Sequence, residues 1–320
     1  MNSFEQHVLE TIDKYNMIKE GQTVIAAVSG GYDSLCMLHV LYNVRRLRRF
    51  EICVAHLNHK FRDEADADEA FVEDEAKRLG LEFFSRRVNV AEYAEKNGIS
   101  FETAGRNLRY SFFAELAEKF DNPLIATAHN ANDSVESMLM HLMRGSGLSG
   151  LTGIKPVNGN VIRPLVETER KEIEKYCDSL GLVPRHDHTN DSDDYRRNDV
   201  RHNILAPILE RCSIQSLSRT MNILSADDDF MENLARDFVE KHVKVSDGTK
   251  RIPLKEFNKL HSAVRRRVVR IALGECGGEK PIGLVHVDEV VKIAEKNYGG
   301  KVIQLPDGRM AKIEKGELII

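Results

Sequence analysis

The sequence predicts two domains: a doubly wound α/β domain built on a parallel sheet, and a smaller C-terminal α+β domain. Short apolar runs alternate with longer helical patterns over the first 145 residues, which is typical of βαβ units. From about residue 215 onward, helical patterns are followed by three short strand candidates. A length of 320 residues also exceeds what one compact core usually holds. We therefore expect residues 1–214 and 215–320 to form the two domains.

Four strands and the helices between them are expected in the first domain. The first candidate strand (TVIAAV) is a continuous apolar run, as in strands that are buried on both faces of a sheet. The strand candidates are residues 23–28, 51–57, 82–88 and 123–127. Helical patterns cover residues 33–49, 63–79, 101–120, 133–143, 168–180, 199–209 and 214–242, and in the second domain residues 253–273 and 284–296. In such a sheet, ligands bind beyond the carboxyl ends of the strands.

Composition and charge exclude several functional classes. No apolar run approaches the roughly 20 residues that a membrane helix needs, and the acidic, amphipathic first segment does not resemble a secretory signal. The five cysteines are scattered without a CxxC pair, so we expect reduced thiols in the cytoplasm and no zinc knuckle. The formal net charge is −4, so any surface for a nucleic acid must be a local patch.

The most informative segment is the turn SGGYDS at residues 29–34, between the first strand and its helix. Gly30 and Gly31 let the backbone approach a ligand closely because they have no Cβ. The helix points its first N–H groups outward, and Ser29 and Ser34 add hydroxyl groups, which predicts a site for a phosphate chain. Asp33 would repel phosphate unless a cation lay between them, which predicts a Mg²⁺ contact. Neither GxxxxGKS/T nor GxGxxG is present. A serine-capped helix after a tight turn is the structural alternative.

This turn resembles the SGGxDS signature of the PP-loop, or N-type, ATP pyrophosphatases, which have an adenine-nucleotide alpha-hydrolase-like fold. Within that superfamily, an ordered series of segments between about residues 20 and 210 is similar to the tRNA(Ile)-lysidine synthetase family. The segments are residues 56–62 (HLNHKFR), 102–110 (ETAGRNLRY), 127–136 (TAHNANDSVE), 144–151 (RGSGLSGL), 163–165 (RPL) and 197–201 (RNDVR). An ordered series is far more specific than any one of its members.

The resemblance implies a defined reaction. ATP would adenylate the C2 oxygen of the wobble cytidine in a tRNA(Ile) with a CAU anticodon, with release of pyrophosphate. The ε-amine of free L-lysine would then attack C2 and displace AMP, leaving lysidine, which pairs with A instead of G. The implied cofactors are ATP and Mg²⁺, and a homodimer is a possible assembly. Longer members of the family carry a further C-terminal domain, for which 320 residues leave no room.

The resemblance also implies roles near the nucleotide. Arg106 and Arg109 lie three residues apart and share a helix face. Guanidinium groups suit a phosphate whose charge grows as pyrophosphate leaves, although an isolated arginine pair is usually a solvated edge. His56 and His59 lack a third ligand at a familiar spacing, so zinc is not expected. The implied ATP-binding residues are Ser29, Gly30, Gly31, Asp33, Ser34, His59 and Arg106, and the implied catalytic residues are Asp33, Arg109, His129 and Asp133.

Three polar residues follow the fourth strand. A neutral imidazole at His129 would hydrogen-bond the α-phosphate or help to remove a proton from the attacking amine, although a lone histidine there is often structural. Asp133 and Glu136 are expected to hold the lysine ammonium, and a helix-capping box is the alternative. The sequence departs from the family pattern at Asn132, where the family has Asp, and at Ser134, where Gln is usual. Asn132 puts a metal or charge role of that first Asp in doubt.

Contact with RNA is predicted for Tyr195, an aromatic residue beside arginines in the loop after the adenylating domain. RNA recognition combines contacts to the charged backbone with stacking on bases that are splayed from loops. The predicted contacts are Tyr195, Arg196, Arg197 and Arg201, with Arg185 nearby. Arginines also cluster at residues 45–49 and 265–270, and the second cluster is a candidate contact for the body of a tRNA. Charge runs alone are usually solvated helix faces.

Two other functions stay open at this point. Another PP-loop tRNA-modifying enzyme, such as a thiolase, would need sulfur-handling cysteines, usually paired, which the sequence lacks. A noncatalytic nucleotide- or RNA-binding protein on a degenerate PP-loop scaffold would fit the departures at Asn132 and Ser134. It would not fit the intact SGGYDS turn, Arg109 or Asp133. Absence of ATP–pyrophosphate exchange would support this noncatalytic function.

Overall fold

The computed structural model describes residues 1–59, 65–184, 195–246, 248–274, 282–297 and 299–320, without the side chains of residues 195, 196 and 307. The chain forms two compact units, Met1–Asn222 and Ile223–Ile320. The predicted boundary after residue 214 lies at the start of a helix, Ile214–His242, that continues from the first unit into the second. The division between the units therefore falls inside a continuous helix.

The first unit contains the predicted parallel sheet. Its strands, in the part of the chain that the structure describes, are β1 (Thr23–Ala27), β2 (Glu51–Asn58), β3 (Glu82–Arg87), β4 (Leu124–Ala126), β5 (Val157–Asn158) and β6 (Val161–Ile162). Their order in the sheet is β3-β2-β1-β4-β6-β5. All neighbouring pairs are parallel except β5 with β6, which is antiparallel at the edge. The doubly wound α/β prediction is confirmed.

Helices cover both faces of this sheet. They are α1 (Ser3–Lys14), α2 (Tyr32–Arg48), α3 (Ala65–Arg78), α4 (Val90–Asn97), α5 (Phe101–Ala117), α6 (Ala131–Met143), α7 (Leu148–Leu151), α8 (Arg170–Ser179), α9 (Tyr195–Asp199), a π-helical turn (Val200–Leu205), α10 (Ala206–Leu209) and α11 (Ile214–His242). Alternate residues of β1 enter different cores: Val24 and Ala26 pack with α2 and α8, and Ile25 packs with α5. This alternation explains the continuous apolar run in β1.

Three loops meet at the carboxyl edge of the sheet, which positions the candidate site. β1 leads into α2, β4 leads into α6, and β6 leads toward α8. β1 lies between β2 and β4, so the chain direction around the sheet reverses at β1. Ligands of doubly wound sheets bind at such a reversal.

The second unit is an antiparallel sheet with helices. Its described strands are β7 (Lys244–Ser246), β8 (Thr249–Pro253), β9 (Val302–Gln304), β10 (Met310–Glu314) and β11 (Glu317–Ile319), in the order β7-β8-β11-β10-β9. Its helices are α12 (Leu254–Phe257), α13 (Ser262–Leu273), α14 (Leu284–Lys296) and a 3₁₀ turn (Pro306–Gly308). Ile252, Phe257, Val268, Val290 and Leu318 lie in its buried core. This unit matches the predicted small α+β domain.

The elements that the sequence did not predict are short. β5 and β6 have two residues each, which is too few to show a periodic pattern. They pair across a turn in which Gly159 has a φ of 60°. α7 forms within the glycine-rich segment at residues 144–151, for which no helix was predicted. α4, β7 and β8 were also missed, although the structure shows each of them.

Candidate active site

The turn between β1 and α2 has the geometry of an anion site. Gly30 has a φ of 98°, a left-handed conformation that favours glycine. Gly31 caps α2 and has no side chain to accept hydrogen bonds from the first amides of the helix. These amides and the positive end of the helix dipole favour a bound phosphate.

Ser34 holds this turn together. Its Oγ accepts hydrogen bonds from the amides of Ser29 (3.1 Å) and Gly30 (3.2 Å) and donates one to the carbonyl of Gly31 (3.0 Å). We expected Ser34 to offer its hydroxyl to a phosphate. In the structure the buried hydroxyl is used within the turn, and it fixes the path of the backbone that would surround a ligand.

Asp33 connects the turn with the two other loops at the sheet edge. The side-chain amide of Asn130 donates from Nδ2 to Asp33 Oδ1 at 3.0 Å, and Arg170 Nη2 lies 3.4 Å from Asp33 Oδ2. Burial raises the pKa of Asp33, and the positive charge of Arg170 opposes that rise. Asn130 and Arg170 were not among the predicted site residues. Asn130 is a residue type that favours helix N-caps and stands three residues before the predicted helix at residues 133–143, whereas Arg170 has no signal at a distance of 137 residues from Asp33.

Asp133 takes part in a helix-capping box and also lies beside two arginines of the candidate site. Its backbone N–H donates to Asn130 Oδ1 (3.1 Å), and its Oδ2 accepts from the backbone N–H of Asn130 (3.0 Å). These two bonds form a capping box for α6. Its Oδ1 lies 4.0 Å from Arg170 and 3.8 Å from Arg201. One carboxylate oxygen thus caps the helix while the other faces the charged site.

Glu136 is bound within the protein. Only 1% of its side chain is exposed, and Arg201 donates to both of its oxygens, from Nε at 2.7 Å and from Nη2 at 3.1 Å. Arg197 Nε lies 3.8 Å from the same carboxylate. Arg201 was predicted to contact RNA; its guanidinium is paired with Glu136 in the structure, and the RNA contact stays a prediction. The side chains of Tyr195 and Arg196 lie outside the described residues, as do Arg62 and Arg185.

His129 follows β4 and is neutral at neutral pH. Burial lowers its pKa to about 4, Asp133 opposes that shift, and the charges of Arg163, Arg197 and Arg109 reinforce it. Its Nδ1 lies 3.1 Å from the hydroxyl oxygen of Thr127. The ring is thus held close to a neighbouring hydroxyl group and, as a neutral imidazole, can accept or donate a hydrogen bond.

The residues on β2 and α5 shape the other side of the site. His56 Nδ1 lies 2.8 Å from the carbonyl of Val28, and burial lowers the pKa of this histidine, so it supports the β1 turn as a neutral ring. A Cβ on Gly105 would lie 3.7 Å from Cε1 of His59, which places His59 against α5. On α5, the exposed guanidinium of Arg106 lies 5.1 Å from the ring centroid of Tyr110.

The two departures from the family pattern have structural partners. Asn132 Oδ1 accepts a hydrogen bond from the backbone N–H of Arg170 at 3.1 Å, which ties the start of α6 to the start of α8. Ser134 is buried, and its Oγ accepts from the N–H of Ile154 at 2.9 Å. An amide oxygen can therefore do at position 132 what a carboxylate oxygen would do for this backbone contact.

The arginines at residues 265–270 are ion-paired within the second unit. Arg265 pairs with Glu295 (2.7 Å), Arg266 with Asp288 (2.6 Å), Arg270 with Glu232 (2.8 Å), and Arg267 with Asp228. In the cluster at residues 45–49, Arg48 pairs with Asp13, and Arg49 pairs with Glu20 at 3.0 Å. Contact of these clusters with tRNA stays a prediction. Among the described residues, no helix is both long and apolar enough to cross a membrane.

Comparisons with known proteins agree with this geometry. Residues 1–208 match the model of the PP-loop domain, and residues 253–319 match the TilS substrate binding domain. The solved U34-tRNA thiolase NcsA from Methanococcus maripaludis, with its [4Fe-4S] cluster, aligns with a TM-score of 0.55 at 18% identity, over 69% of this chain and 79% of that one. At this identity the likeness shows the fold alone.

Two curated relatives are similar over nearly all of this chain. The tRNA(Ile)-lysidine synthase of Caldanaerobacter subterraneus is 40% identical over 93% of the chain and 65% of the relative. That of Clostridium acetobutylicum is 37% identical over 98% of the chain and 69% of the relative. The chain thus spans about two thirds of the length of these relatives. On the strength of these matches and of the PP-loop model, the chain belongs to the tRNA(Ile)-lysidine synthase family.

Proposed function

We propose that this chain uses ATP to adenylate the C2 oxygen of the wobble cytidine in a CAU-anticodon tRNA(Ile), and then joins L-lysine to C2 to form lysidine. Pyrophosphate leaves in the first step and AMP in the second. The proposal rests on family membership and on the way the site combines a phosphate-binding turn with carboxylates. The proposal includes a cytoplasmic location and a homodimer. Sedimentation of the purified chain would test the homodimer.

One observation carries the proposal. Arg170 Nη2 lies 3.4 Å from Asp33, in the phosphate-binding turn, and 4.0 Å from Asp133, in the candidate lysine site. A single guanidinium thus bridges the two carboxylates. The reaction requires an activated phosphate and an amine nucleophile in the same place, because proximity supplies much of the rate enhancement of a two-substrate reaction.

Asp33 fits a Mg²⁺ contact. Mg²⁺ is usually bound through one or two carboxylates together with substrate phosphates and water. Among the described residues, no group of three or more His, Cys, Asp or Glu side chains could hold a metal ion. The ion would therefore need ligands from the nucleotide, and when bound it would offset the negative charge of the phosphates. Burial, which raises the pKa of Asp33, makes a cation at this carboxylate more favourable.

We propose that Asp133 and His129 act on the lysine amine. Glu136 is already occupied by Arg201, so Asp133 Oδ1 is the more accessible acceptor for an ammonium group. The depressed pKa of His129 keeps the imidazole neutral, and a neutral imidazole accepts a proton from the amine or donates a hydrogen bond to a phosphate oxygen. We propose that Arg109, whose charge acts on His129, stabilises the leaving pyrophosphate, and that Arg106 and His59 bind ATP.

We propose that tRNA contacts both parts of the chain. The match to the substrate binding domain at residues 253–319 supports a role of the second unit in holding tRNA. Tyr195, Arg196 and Arg197 remain the proposed contacts near the reacting nucleotide, and Arg197 has a side chain that is 38% exposed. Arg201 is a weaker candidate because Glu136 binds both of its donors.

The direct test is transfer of labelled L-lysine from solution to RNA. The purified chain is incubated with ATP, Mg²⁺ and a transcript of tRNA(Ile) with the CAU anticodon. A methionine tRNA transcript with the same anticodon is the matched control. We expect label on the isoleucine transcript only, and only with ATP. If AMP but no lysine is found on the RNA, the lysine-site assignment is wrong; if neither is found with folded protein and authentic tRNA, the proposed function is wrong.

A further inference from the structure

Arg163 is a buried cation at the carboxyl edge of the sheet. It directly follows β6, and the register of β6 with β4 places it beside Thr127, two residues before His129. Only 7% of its surface is exposed. Its Nη1 donates to the carbonyl of Lys155 at 2.6 Å, which fixes the guanidinium at this edge.

The charge of Arg163 is not balanced by the protein that surrounds it. Its Nε is buried without a hydrogen-bond acceptor, and in the ranges covered by the structure no carboxylate lies within ion-pair distance of it. Burial lowers the pKa of Arg163, Tyr110 opposes that shift, and the nearby charge of Arg106 adds to it. A desolvated guanidinium that lacks an anion and lies close to a second guanidinium is unfavourable.

An anionic ligand would remove both costs. Arg106 lies over the ring of Tyr110, and Arg163 hydrogen-bonds the same tyrosine, so both guanidinium groups lie close to one residue. Guanidinium groups bind phosphate oxygens through paired N–H donors. The turn at residues 29–34 already provides amides for one phosphate group, so these arginines are available for another.

We propose that Arg163, with Arg106, forms a second phosphate-binding site beside His129, separate from the turn at residues 29–34. The phosphate belongs either to the pyrophosphate part of ATP or to the RNA backbone next to the reacting nucleotide. This inference deepens the proposed function and rests on it for the identity of the two ligands. The role of Arg163 is to bind and position a phosphate.

The test measures binding without turnover. Arg163→Met removes the charge at similar length, Arg163→Lys keeps it without the paired donors, and Arg78→Met is the control, at an arginine that is 58% exposed at the end of α3. Dissociation constants are measured for an ATP analogue with a methylene group between the α- and β-phosphates, for inorganic pyrophosphate, for L-lysine and for the tRNA(Ile) transcript.

We expect Arg163→Met to weaken binding of one phosphate ligand by about 10- to 100-fold, the usual range for a hydrogen bond to a charged group. Weaker binding of the analogue and pyrophosphate identifies the ATP phosphates. Weaker binding of tRNA, with a salt dependence reduced by about one phosphate contact, identifies the RNA backbone. Arg163→Lys should lie between Arg163→Met and the unsubstituted chain.

Unchanged affinity for the analogue, pyrophosphate and tRNA would overturn the proposal, and so would a change in lysine affinity alone. If Arg163→Met does not fold, Arg163→Lys decides, because the loss of the paired donors should still weaken one phosphate ligand and unchanged binding would refute the site. These binding constants can be measured and interpreted even if the chain makes no lysidine, because no turnover is required. The proposed function is judged separately, by lysine transfer with the unsubstituted chain.

Discussion

Two clusters of charge in this molecule are organised in opposite ways. At the edge of the parallel sheet, Arg170 lies 3.4 Å and 4.0 Å from two different carboxylates, and buried Arg163 has no carboxylate within ion-pair distance among the described residues. On α13, by contrast, Arg266 and Arg270 lie 2.6 Å and 2.8 Å from their acidic partners. The first cluster has donors left for a ligand, whereas the second uses its charges within its own unit.

This difference shows that a run of arginines in a sequence does not by itself predict whether the arginines bind a ligand or pair with acidic residues. The three consecutive arginines at residues 265–267 are the denser signal, yet each is paired. The single arginine of the RPL segment gave no charge pattern, yet it is the buried one. If the contrast is correct, substitutions at the sheet edge will change ligand binding and catalysis, and substitutions on α13 will change little except stability.

The largest effect is expected for Asp33→Asn. It should lower lysine transfer by at least about 10³-fold, because the carboxylate is the proposed Mg²⁺ contact and electrostatic groups at a reacting phosphate often supply effects of this order. Because burial raises the pKa of Asp33, the charged form is disfavoured in the folded state, and the same substitution should leave the melting temperature unchanged or raise it. Single-turnover lysine transfer and calorimetry measure the two effects.

Loss of both activity and stability in Asp33→Asn would break the contrast, since Asp33 would then support the fold as the α13 charges do. A matched substitution is Asp13→Asn, at an exposed carboxylate on α1. Asp13 pairs with Arg48 at the end of α2, the helix that begins near Asp33. Asp13→Asn should leave lysine transfer within about twofold of the unsubstituted chain, because surface pairs contribute little.

A second substitution probes a tight ion pair at the sheet edge, between Arg201 and Glu136. Arg201→Met leaves Glu136, which is 1% exposed, without its bidentate partner, and should destabilise the chain by about 3 kcal/mol. The double variant Arg201→Met with Glu136→Leu should recover most of that loss, because an apolar pair leaves no buried charge. Denaturant unfolding of both variants measures the difference. A single variant as stable as the parent chain would mean that Glu136 finds another cation, with Arg197 the nearest at 3.8 Å.

The sequence predicted the parts of this site that lie next to each other in the chain. Periodicity and turn chemistry located β1 to β4 and most helices, and α11 and α14 have the predicted bounds. The SGGYDS turn and the residues after β4 were found because their neighbours in sequence are also their neighbours in space. Asp33, Asp133 and His129 could therefore be proposed as site residues without a structure.

The residues that were missed act across long sequence distances. Arg170 meets Asp33 from 137 positions away, and Arg201 meets Glu136 from 65 positions away. Neither pairing has a local pattern, since each depends on how β6 aligns with β4 and on the path of the π-helical turn. The assignment of Arg201 to RNA failed to anticipate its partner for the same reason. The burial of Arg163 likewise results from the packing of the folded molecule and has no local sequence pattern.

A third prediction concerns pH and uses His129. Its folded pKa, about 4, lies below the unfolded value of about 6.5. Between these values the unfolded chain binds more protons than the folded chain, so stability falls as the pH drops from about 6.5 toward 4. His129→Gln should flatten this part of the stability curve, whereas His7→Gln, at an exposed histidine of α1, should not. Unfolding measured at several pH values tests both, and an unchanged slope in His129→Gln would refute the neutral buried ring.

The smallest effect is expected on α13. Arg266→Ala removes a pair whose side chains are 50% and 44% exposed, so it should cost less than about 1 kcal/mol of stability and change the tRNA dissociation constant by less than about twofold. Asp288→Ala is the informative companion, because it frees the Arg266 guanidinium. If the ion pair with Asp288 prevents Arg266 from contacting RNA, Asp288→Ala should lower the tRNA dissociation constant. This increase in affinity should disappear at high salt. A loss of affinity in Arg266→Ala, with a shallower salt dependence, would show instead that a paired arginine still contacts the tRNA backbone. The contrast between the two clusters would then be one of degree, set by how readily a phosphate replaces a carboxylate in water.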